Sequence, residues 1–419
     1  MGIPPKAERR AAQVLRGVEA ALGRLLARAG AEVPAETAGD PTMHQVLMTV
    51  LRRRATLDWL IDRHSDGRTR PRTRRVLWWA LAEGLFLDGL PVPVIVDTAV
   101  EDIKAISRGE ASFVNALLRR LLSPGREAVL AAVREQSPPW VQLDLGRPLY
   151  EAWSARLSPS ALAALAGLLQ SPAPLVVRRR QGAAGGAATP AGLEAMPAVD
   201  WAPSAELYRC LDAGAFFASP AWQAQAFYVQ DPSTLLAPAL LAVRPGERVA
   251  DLCSAPGGKA VVLSEALGGS GVLFCVDRSG VRLARVRENL VSVGTVHTLV
   301  ADARELPPEV AALDAILLDV PCSNTGVVRR RPDVRWHFTA AGRDELAATQ
   351  AAILAAAASR LRPGGRMVYS TCSLEPQENH DQVAAFLRAT PGFVLEDERQ
   401  LDPDSGHDGA YAARLVRRR

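Results

Sequence analysis

From Arg248 onward the chain alternates short apolar runs with stretches of helical periodicity: RVADLC, VLFCVD, HTLVAD, AILLDVPC, an Ala-rich helical stretch from Asp344 to Leu361, and RMVYSTCS. Runs this short and this continuously apolar need burial on both faces, which a parallel sheet covered by crossover helices supplies. Several of them end in an acid or a small polar residue, as parallel strands do where their carboxyl ends meet a ligand cleft. The pattern predicts an α/β, Rossmann-like, doubly wound domain over residues 241–419.

The rest of the 419 residues is organised differently. Residues 1–136 show helical periodicity at Ala11 to Ala29, His44 to Arg63, Arg74 to Asp88, Val94 to Ile106 and Ala111 to Leu122, punctuated by Pro71, Pro91, Pro93 and a Ser123-Pro124-Gly125 turn. An all-α first domain is expected there. Residues 137–240 are mixed, with Pro-rich joints, a Gly/Ala stretch from Gly182 to Ala188 and a strand candidate at Leu175 to Val177, which predicts a linker and a small α+β subdomain. A chain of this length supports about two to four domains, each with its own core.

Hydrophobic residues make up 48% and charged residues 22%, a globular balance that excludes wholesale disorder and collagen-like structure. The net charge is only +4, yet residues 1–75 hold 15 basic against 8 acidic side chains, a bias that favours a nucleic-acid partner. All but three of the 49 basic residues are arginines, a skew that a GC-rich coding sequence produces by itself. The lysines are Lys6, Lys104 and Lys259, and one inside a Gly-rich turn is expected to be held there by chemistry. Cys210, Cys253, Cys275, Cys322 and Cys372 form no CxxC pair, so no metal site is expected and a reducing compartment suits them. The opening MGIPPKAERR lacks a signal-peptide core, and no apolar run approaches the roughly 20 residues that span a bilayer. A cytoplasmic, monomeric chain without membrane contact is the expectation.

Chemistry concentrates in the α/β segment. The turn Cys253-Ser254-Ala255-Pro256-Gly257-Gly258-Lys259 follows Asp251 where a strand ends and a helix begins, a place where glycines let the backbone approach a nucleotide and expose amides. A phosphate-binding P-loop is excluded, because Cys253 and Ala260 occupy positions that would have to be Gly and Ser or Thr, and GxGxxG is absent. Asp277 ends the next run 19 residues after Gly258, the spacing at which a carboxylate meets ribose hydroxyls. An adenosine-type cofactor without a pyrophosphate fits both facts, and S-adenosylmethionine is the common one. The third and fourth runs end in Asp302 and Asp319, and burying such carboxylates together is costly unless they meet a polar ligand.

Cys322 and Cys372 lie just past two predicted strand ends, whereas Cys210 and Cys275 read as small buried hydrophobes. Two thiols beside a methyl donor suggest attack on an electron-poor carbon. Cytosine offers one at C6, and a thiolate added there makes C5 nucleophilic enough to accept a methyl group.

DLCSAPGGK, VDRS, the Ala301-Asp302 pair, DVPCSNTGVVRRRPDVRW and YSTCSLEPQEN together resemble the successive motifs of the RNA cytosine-C5 methyltransferases, over roughly residues 225–419 from Val229-Gln-Asp-Pro-Ser233 on. The resemblance implies a class I methyltransferase domain in which Cys372 is the nucleophile and Cys322 assists product release. It further implies that Cys253 to Lys259 and Asp277 bind S-adenosylmethionine with Asp302 beside the adenine, and that Asp319 and Lys259 lie near cofactor and base. Ala80 to Asp88, Val94 to Ile106 and Ser112 to Arg119 resemble an RNA-binding domain similar to the antitermination factor NusB. That pairing is the layout of bacterial methyltransferases acting on small-subunit (16S) ribosomal RNA, where a single-stranded or loop cytosine is the easier substrate. Arg178 to Arg180 and Arg329 to Arg331 are then expected to face RNA phosphates. Two positions depart from the family pattern: Val176 to Arg180 lacks an asparagine, and Asp408-Gly-Ala-Tyr411 lacks the usual aromatic pair. The competing readings are a transfer RNA cytosine-C5 methyltransferase with the same catalytic domain and a non-catalytic RNA-binding protein on the same scaffold.

Overall fold

The computed structural model describes residues 21–27, 33, 37, 39–65, 69–181, 188–290 and 295–419. They fall into two units. The first comprises Met1–Ser171 with Arg331–Thr339, and the second Pro172–Arg330 with Ala340–Arg419.

The first unit is helical, with α1 (Pro41–His64), α2 (Pro71–Phe86), α3 (Val92–Ile106), α4 (Ala111–Leu122) and α5 (Arg126–Gln136). Prolines open the first three, where a missing N–H costs nothing and the fixed φ suits the first turn. Asp40 caps α1 by accepting from the Thr42 and Met43 amides at 2.9 and 3.0 Å. The periodic apolar positions meet in one core that includes Leu47, Leu57, Leu77, Trp79, Ile95, Val114 and Leu118. Of the expected helix from Ala11 to Ala29, residues 21–27 are helical and the remainder lies outside the described residues.

The expected boundary after residue 136 is not where this unit ends. Helices Arg147–Ser154 and Pro159–Gln170 bury Leu149, Trp153, Leu162 and Leu169 within it, and Arg331–Thr339 belongs to it as well. Arg335 is fully buried there, donating to the carbonyls of Arg52 at 3.2 Å, Asp144 at 2.9 Å and Leu169 at 3.3 Å. Burial without a touching carboxylate pulls its guanidinium down to about 9, although Asp144 works against the fall.

The second unit begins with an antiparallel sheet of order β2-β3-β1-β4, from β1 (Val176–Arg179), β2 (Leu193–Ala195), β3 (Leu207–Cys210) and β4 (Phe227–Val229). The Gly/Ala stretch lies outside the described residues over 182–187. A seven-stranded sheet follows, built from β5 (Arg248–Leu252), β6 (Val272–Asp277), β7 (Thr295–Val300), β8 (Leu313–Asp319), β9 (Leu361–Thr371), β10 (Phe393–Leu401) and β11 (Ala410–Arg417). Its order is β10-β11-β9-β8-β5-β6-β7, with β9, β8, β5, β6 and β7 parallel and β11 inserted antiparallel between β9 and β10.

Alternation along the strands builds both faces of that sheet. Ala250, Leu252, Ile316, Leu318, Met367 and Tyr369 pack on one side, while Val249, Leu273, Ala315, Leu317 and Val368 pack on the other. The order reverses between β5 and β8, so crossovers leave in opposite directions and a crevice opens at the strands' carboxyl ends. Two expected details differ. The Ala-rich helix runs Ala340–Ala358 and Leu361 already opens β9, while β7 stops at Val300 and leaves Asp302 in the loop beyond.

Candidate active site

The Gly-rich turn leaves β5 through Cys253, at φ +70°, and enters the helix Gly258–Leu267 through Gly257, at φ +106°. A Cβ on Gly257 would stand 3.1 Å from Val286 Cα, and one on Gly258 would stand 3.2 Å from Tyr228 Cε1, so neither position tolerates a side chain without movement. Other elements hold the turn's carbonyls outward. Arg282 donates to Ala255 O at 2.5 Å, Asn289 to Pro256 O at 3.0 Å and Gln230 to Gly258 O at 3.4 Å. Asp277 faces the same turn, accepting from the Ala255 amide at 3.3 Å and the Ser279 amide at 2.9 Å.

Beneath the turn Asp251 is buried, accepting from Ser254 Oγ at 2.9 Å through one carboxyl oxygen while the other, Oδ1, has no hydrogen-bond partner. Burial pushes its carboxyl up to about 7, helped by the charges of Asp319 and Asp277. The Cys253 thiol is pushed up to about 12 by burial and the surrounding carboxylates, which makes it an unreactive lining group. Asp302 is different: it is exposed enough to be held by its own loop, where the Arg304 guanidinium at 2.7 Å and the Arg304 amide draw it down to about 2.

Lys259 extends from the helix after the turn to Asp319 at the end of β8, Nζ to Oδ2 2.7 Å. Burial pulls the ammonium down, but Asp319, Cys372 and Asp251 outweigh it and leave Lys259 above its ordinary pKa. Ser370 donates to the other oxygen of Asp319 at 3.1 Å. Asp319 and Ser370 are register partners on β8 and β9. Neighbouring parallel strands therefore deliver the two cysteine loops side by side, and Cys322 Sγ lies 3.4 Å from Cys372 Sγ although 50 residues separate them in the chain.

Each loop is shaped to hold that approach. Asn324, at φ +61°, donates to Cys322 O at 2.8 Å and accepts from Cys372 Sγ at 3.2 Å. The Gly326 amide donates to Cys372 O at 2.9 Å, and a Cβ at Gly326 would stand 2.8 Å from both Cys372 O and Gly409 O. Cys322 is buried, and its contact with Cys372, its burial and the nearby Glu378 charge push its thiol well above the ordinary value. Cys372 is the more accessible of the two.

The candidate residues thus gather at the carboxyl ends of neighbouring strands, with Asp302 on the loop that follows β7. Asn324, Arg282, Gln230, Tyr228 and Glu378 carry geometry that no motif reading assigned; of these, Gln230, Asn324 and Glu378 stood inside quoted motifs, and Arg282 and Tyr228 carried no local signal. The arginine triplets are a correction. Arg178 is buried in a bidentate pair with Glu265 at 2.7 and 3.2 Å, Arg179 pairs with Glu206 at 2.9 Å, and Arg180 lies 3.5 Å from Glu265. Arg329 donates to the carbonyls of Asp404 and Pro172, Arg330 pairs with Asp231 and Asp408 at 2.5 Å, and Arg331 pairs with Asp333 at 3.0 Å. Acceptors within the protein meet these cations: Glu265, Asp231, Asp408 and Asp333 are buried carboxylates, Glu206 is an exposed one, and Arg329 is met by backbone carbonyls.

The architecture is a Rossmann-like α/β domain preceded by a helical region, and solved structures share all or part of that fold. That of PH0851 superposes with a TM-score of 0.77 over 99% of both chains at 21% identity. A methyltransferase homolog protein from Pyrococcus horikoshii gives 0.55 over 69% of this chain and 99% of its own at 23% identity. NSun6 from Pyrococcus horikoshii, solved with SFG, gives 0.57 over 65% and 98% at 19% identity. Over residues 238–415 the sequence matches the family model described as 16S rRNA methyltransferase RsmB/F, and residues 5–123 match the NusB family. The ribosomal RNA small subunit methyltransferases B of Salmonella newport and Salmonella typhi are each 40% identical over 201 residues, 45% of this chain. The chain spans about half the length of these curated relatives, 47%.

Proposed function

We propose that the chain transfers a methyl group from S-adenosylmethionine to C5 of a cytosine in 16S ribosomal RNA, through a covalent bond between Cys372 and C6. The observation that carries this reading is the pair of thiols 3.4 Å apart beside the Lys259–Asp319 ion pair. S-adenosylmethionine, when bound, supplies an electrophilic methyl on a sulfonium. The residues present fit it: Gly257 and Gly258 leave room for close backbone approach, and the buried Asp251 oxygen without a partner is suited to a cationic or donor group. Cys253 to Lys259, Asp277, Asp302 and Asp319 would hold it.

Cys372, the more accessible thiol, attacks C6 as thiolate, and the electron pair of the 5,6 double bond moves toward the ring carbonyl and makes C5 nucleophilic. Lys259 and Asp319 orient the cytosine edge, the ammonium at an oxygen acceptor and the carboxylate at the amino group. After C5 is methylated a base removes its proton, the double bond reforms and the C6–S bond breaks. Cys322 is held as thiol, able to lend a proton to the departing sulfur. In this reading the helical region and the small antiparallel sheet contribute RNA contacts, and the protein acts as a cytoplasmic monomer. Among the described residues no helix is long and apolar enough to cross a membrane.

Incubating the protein with methyl-labelled S-adenosylmethionine and separate pools of 16S and transfer RNA tests the proposal. Label at one cytosine C5 of 16S RNA, seen as a bisulfite-resistant position, is expected. Label confined to transfer RNA would overturn the substrate, and no label in either pool would overturn the activity.

A further inference from the structure

Glu378 ends a short turn after the Cys372 loop and is fully buried. Its Oε1 accepts from the Ser323 amide at 2.9 Å and from Gln350 Nε2 at 3.0 Å. Its Oε2 accepts from Ser373 Oγ at 2.5 Å and from Ser323 Oγ. The two serines are the residues that directly follow Cys322 and Cys372. Gln350, from the helix Ala340–Ala358, also donates to Pro321 O at 2.9 Å, so Cys322 is gripped on both chain sides by one connected network. Tyr369 closes it: its one hydroxyl proton is shared between Glu378 O at 2.6 Å and Gln350 Oε1 at 3.0 Å.

A buried carboxylate is expensive unless its lone pairs are met, and one met by four donors has a single place to sit. Donors on it from both cysteine loops make their separation a property of that place. We propose that Glu378 is a positioning residue, a carboxylate that yokes the Cys322 and Cys372 loops and sets the distance between the two thiols. The proposal rests on the reading of those thiols as the reacting pair. The negative charge of Glu378 near Cys322 also favours the thiol form of that cysteine.

Diamide oxidation of the full-length protein provides a ruler. In that reaction Cys322 and Cys372 lose two protons and two electrons to the diazene, which becomes a hydrazine, and a disulfide forms only when the sulfurs can approach. Glu378→Gln turns one acceptor into a donor facing donors. Disulfide formation is expected to slow about tenfold or more, and kcat for methyl transfer to fall similarly, while KM for S-adenosylmethionine stays within about twofold. Ser323→Ala and Ser373→Ala should shift both rates in the same direction by less, and the corresponding Ser→Thr changes, which keep the hydroxyl, should restore them. If Glu378→Gln melts before assay, the serine series carries the test. Disulfide and transfer rates unchanged across these variants would overturn the proposal, as would a loss of kcat matched by an equal loss of cofactor affinity. Absence of methyl transfer by the unmodified protein would refute the assigned activity instead, and the diamide rates would still report on the yoke.

Discussion

The Gly-rich turn and the paired cysteine loops sit at adjacent strand ends, yet they are held by opposite means. The turn is a feature of one short segment: positive φ at Cys253 and Gly257 sets its path, and side chains from outside only tie its carbonyls back. The cysteine loops are a feature of two segments 50 residues apart, brought together by strand register and fastened by Asn324, Gly326 and a buried acid. Local backbone demands tolerate change around them, whereas a junction fastened from several elements fails when any one fastener is altered.

Three substitutions separate the two arms. The largest effect is expected for Cys372→Ala, which removes the attacking atom: methyl transfer should fall by about 10⁴-fold or more while cofactor affinity, set by the turn, stays unchanged. Initial rates together with calorimetric titration of S-adenosylmethionine check both halves. A smaller loss is expected for Gly326→Ala, whose Cβ would meet Cys372 O and Gly409 O at 2.8 Å. Relieving such a contact costs about 1–3 kcal/mol, read as a lowered melting temperature accompanied by slower transfer. Affinity for the cofactor dropping more than the rate would show that the arms are not separable in this way.

The smallest effect on methyl transfer belongs to the turn side, where the change is one of stability and depends on pH. Asp251 is raised from 3.8 to about 7 in the folded protein, so the unfolded chain loses that proton first as pH rises. Its contribution is fully favourable below about pH 4 and is lost progressively up to about pH 7, above which it is constant. Asp251→Asn, isosteric with the protonated acid, should match the parent near pH 4 and exceed it in stability increasingly toward pH 7. Chemical denaturation across that range is the check, and a stability difference independent of pH would contradict it.

How much of this was legible in the sequence follows from the same contrast. The parallel sheet declared itself through runs such as AILLDV, because burial on both faces leaves no room for polar residues, and the strand ends located both thiols, Lys259 and the turn. Helices α3 and α4 were readable to within two residues because their apolar spacing is regular, and prolines mark the start of α3. Arg178, Arg330 and Arg335 were not readable. An arginine looks the same in sequence whether its partner is a phosphate or a carboxylate such as Glu265, 87 residues away. The assignment of Arg331–Thr339 to the helical unit was hidden for a related reason, since the carbonyls that receive Arg335 come from Arg52, Asp144 and Leu169 and leave no side-chain pattern. Glu378 stood in the open within PQEN, but only the placement of Ser323 and Ser373 gives it a task.

The division of labour between the thiols is the central claim, and trapping tests it most directly. The Cys322→Ala protein, mixed with substrate RNA and S-adenosylmethionine and run on a denaturing gel, should give a retarded protein–RNA band that persists in denaturant, because Cys372 still attacks and release is impaired. Cys372→Ala should give none. A stable adduct formed by Cys372→Ala and absent from Cys322→Ala would reverse the assignment.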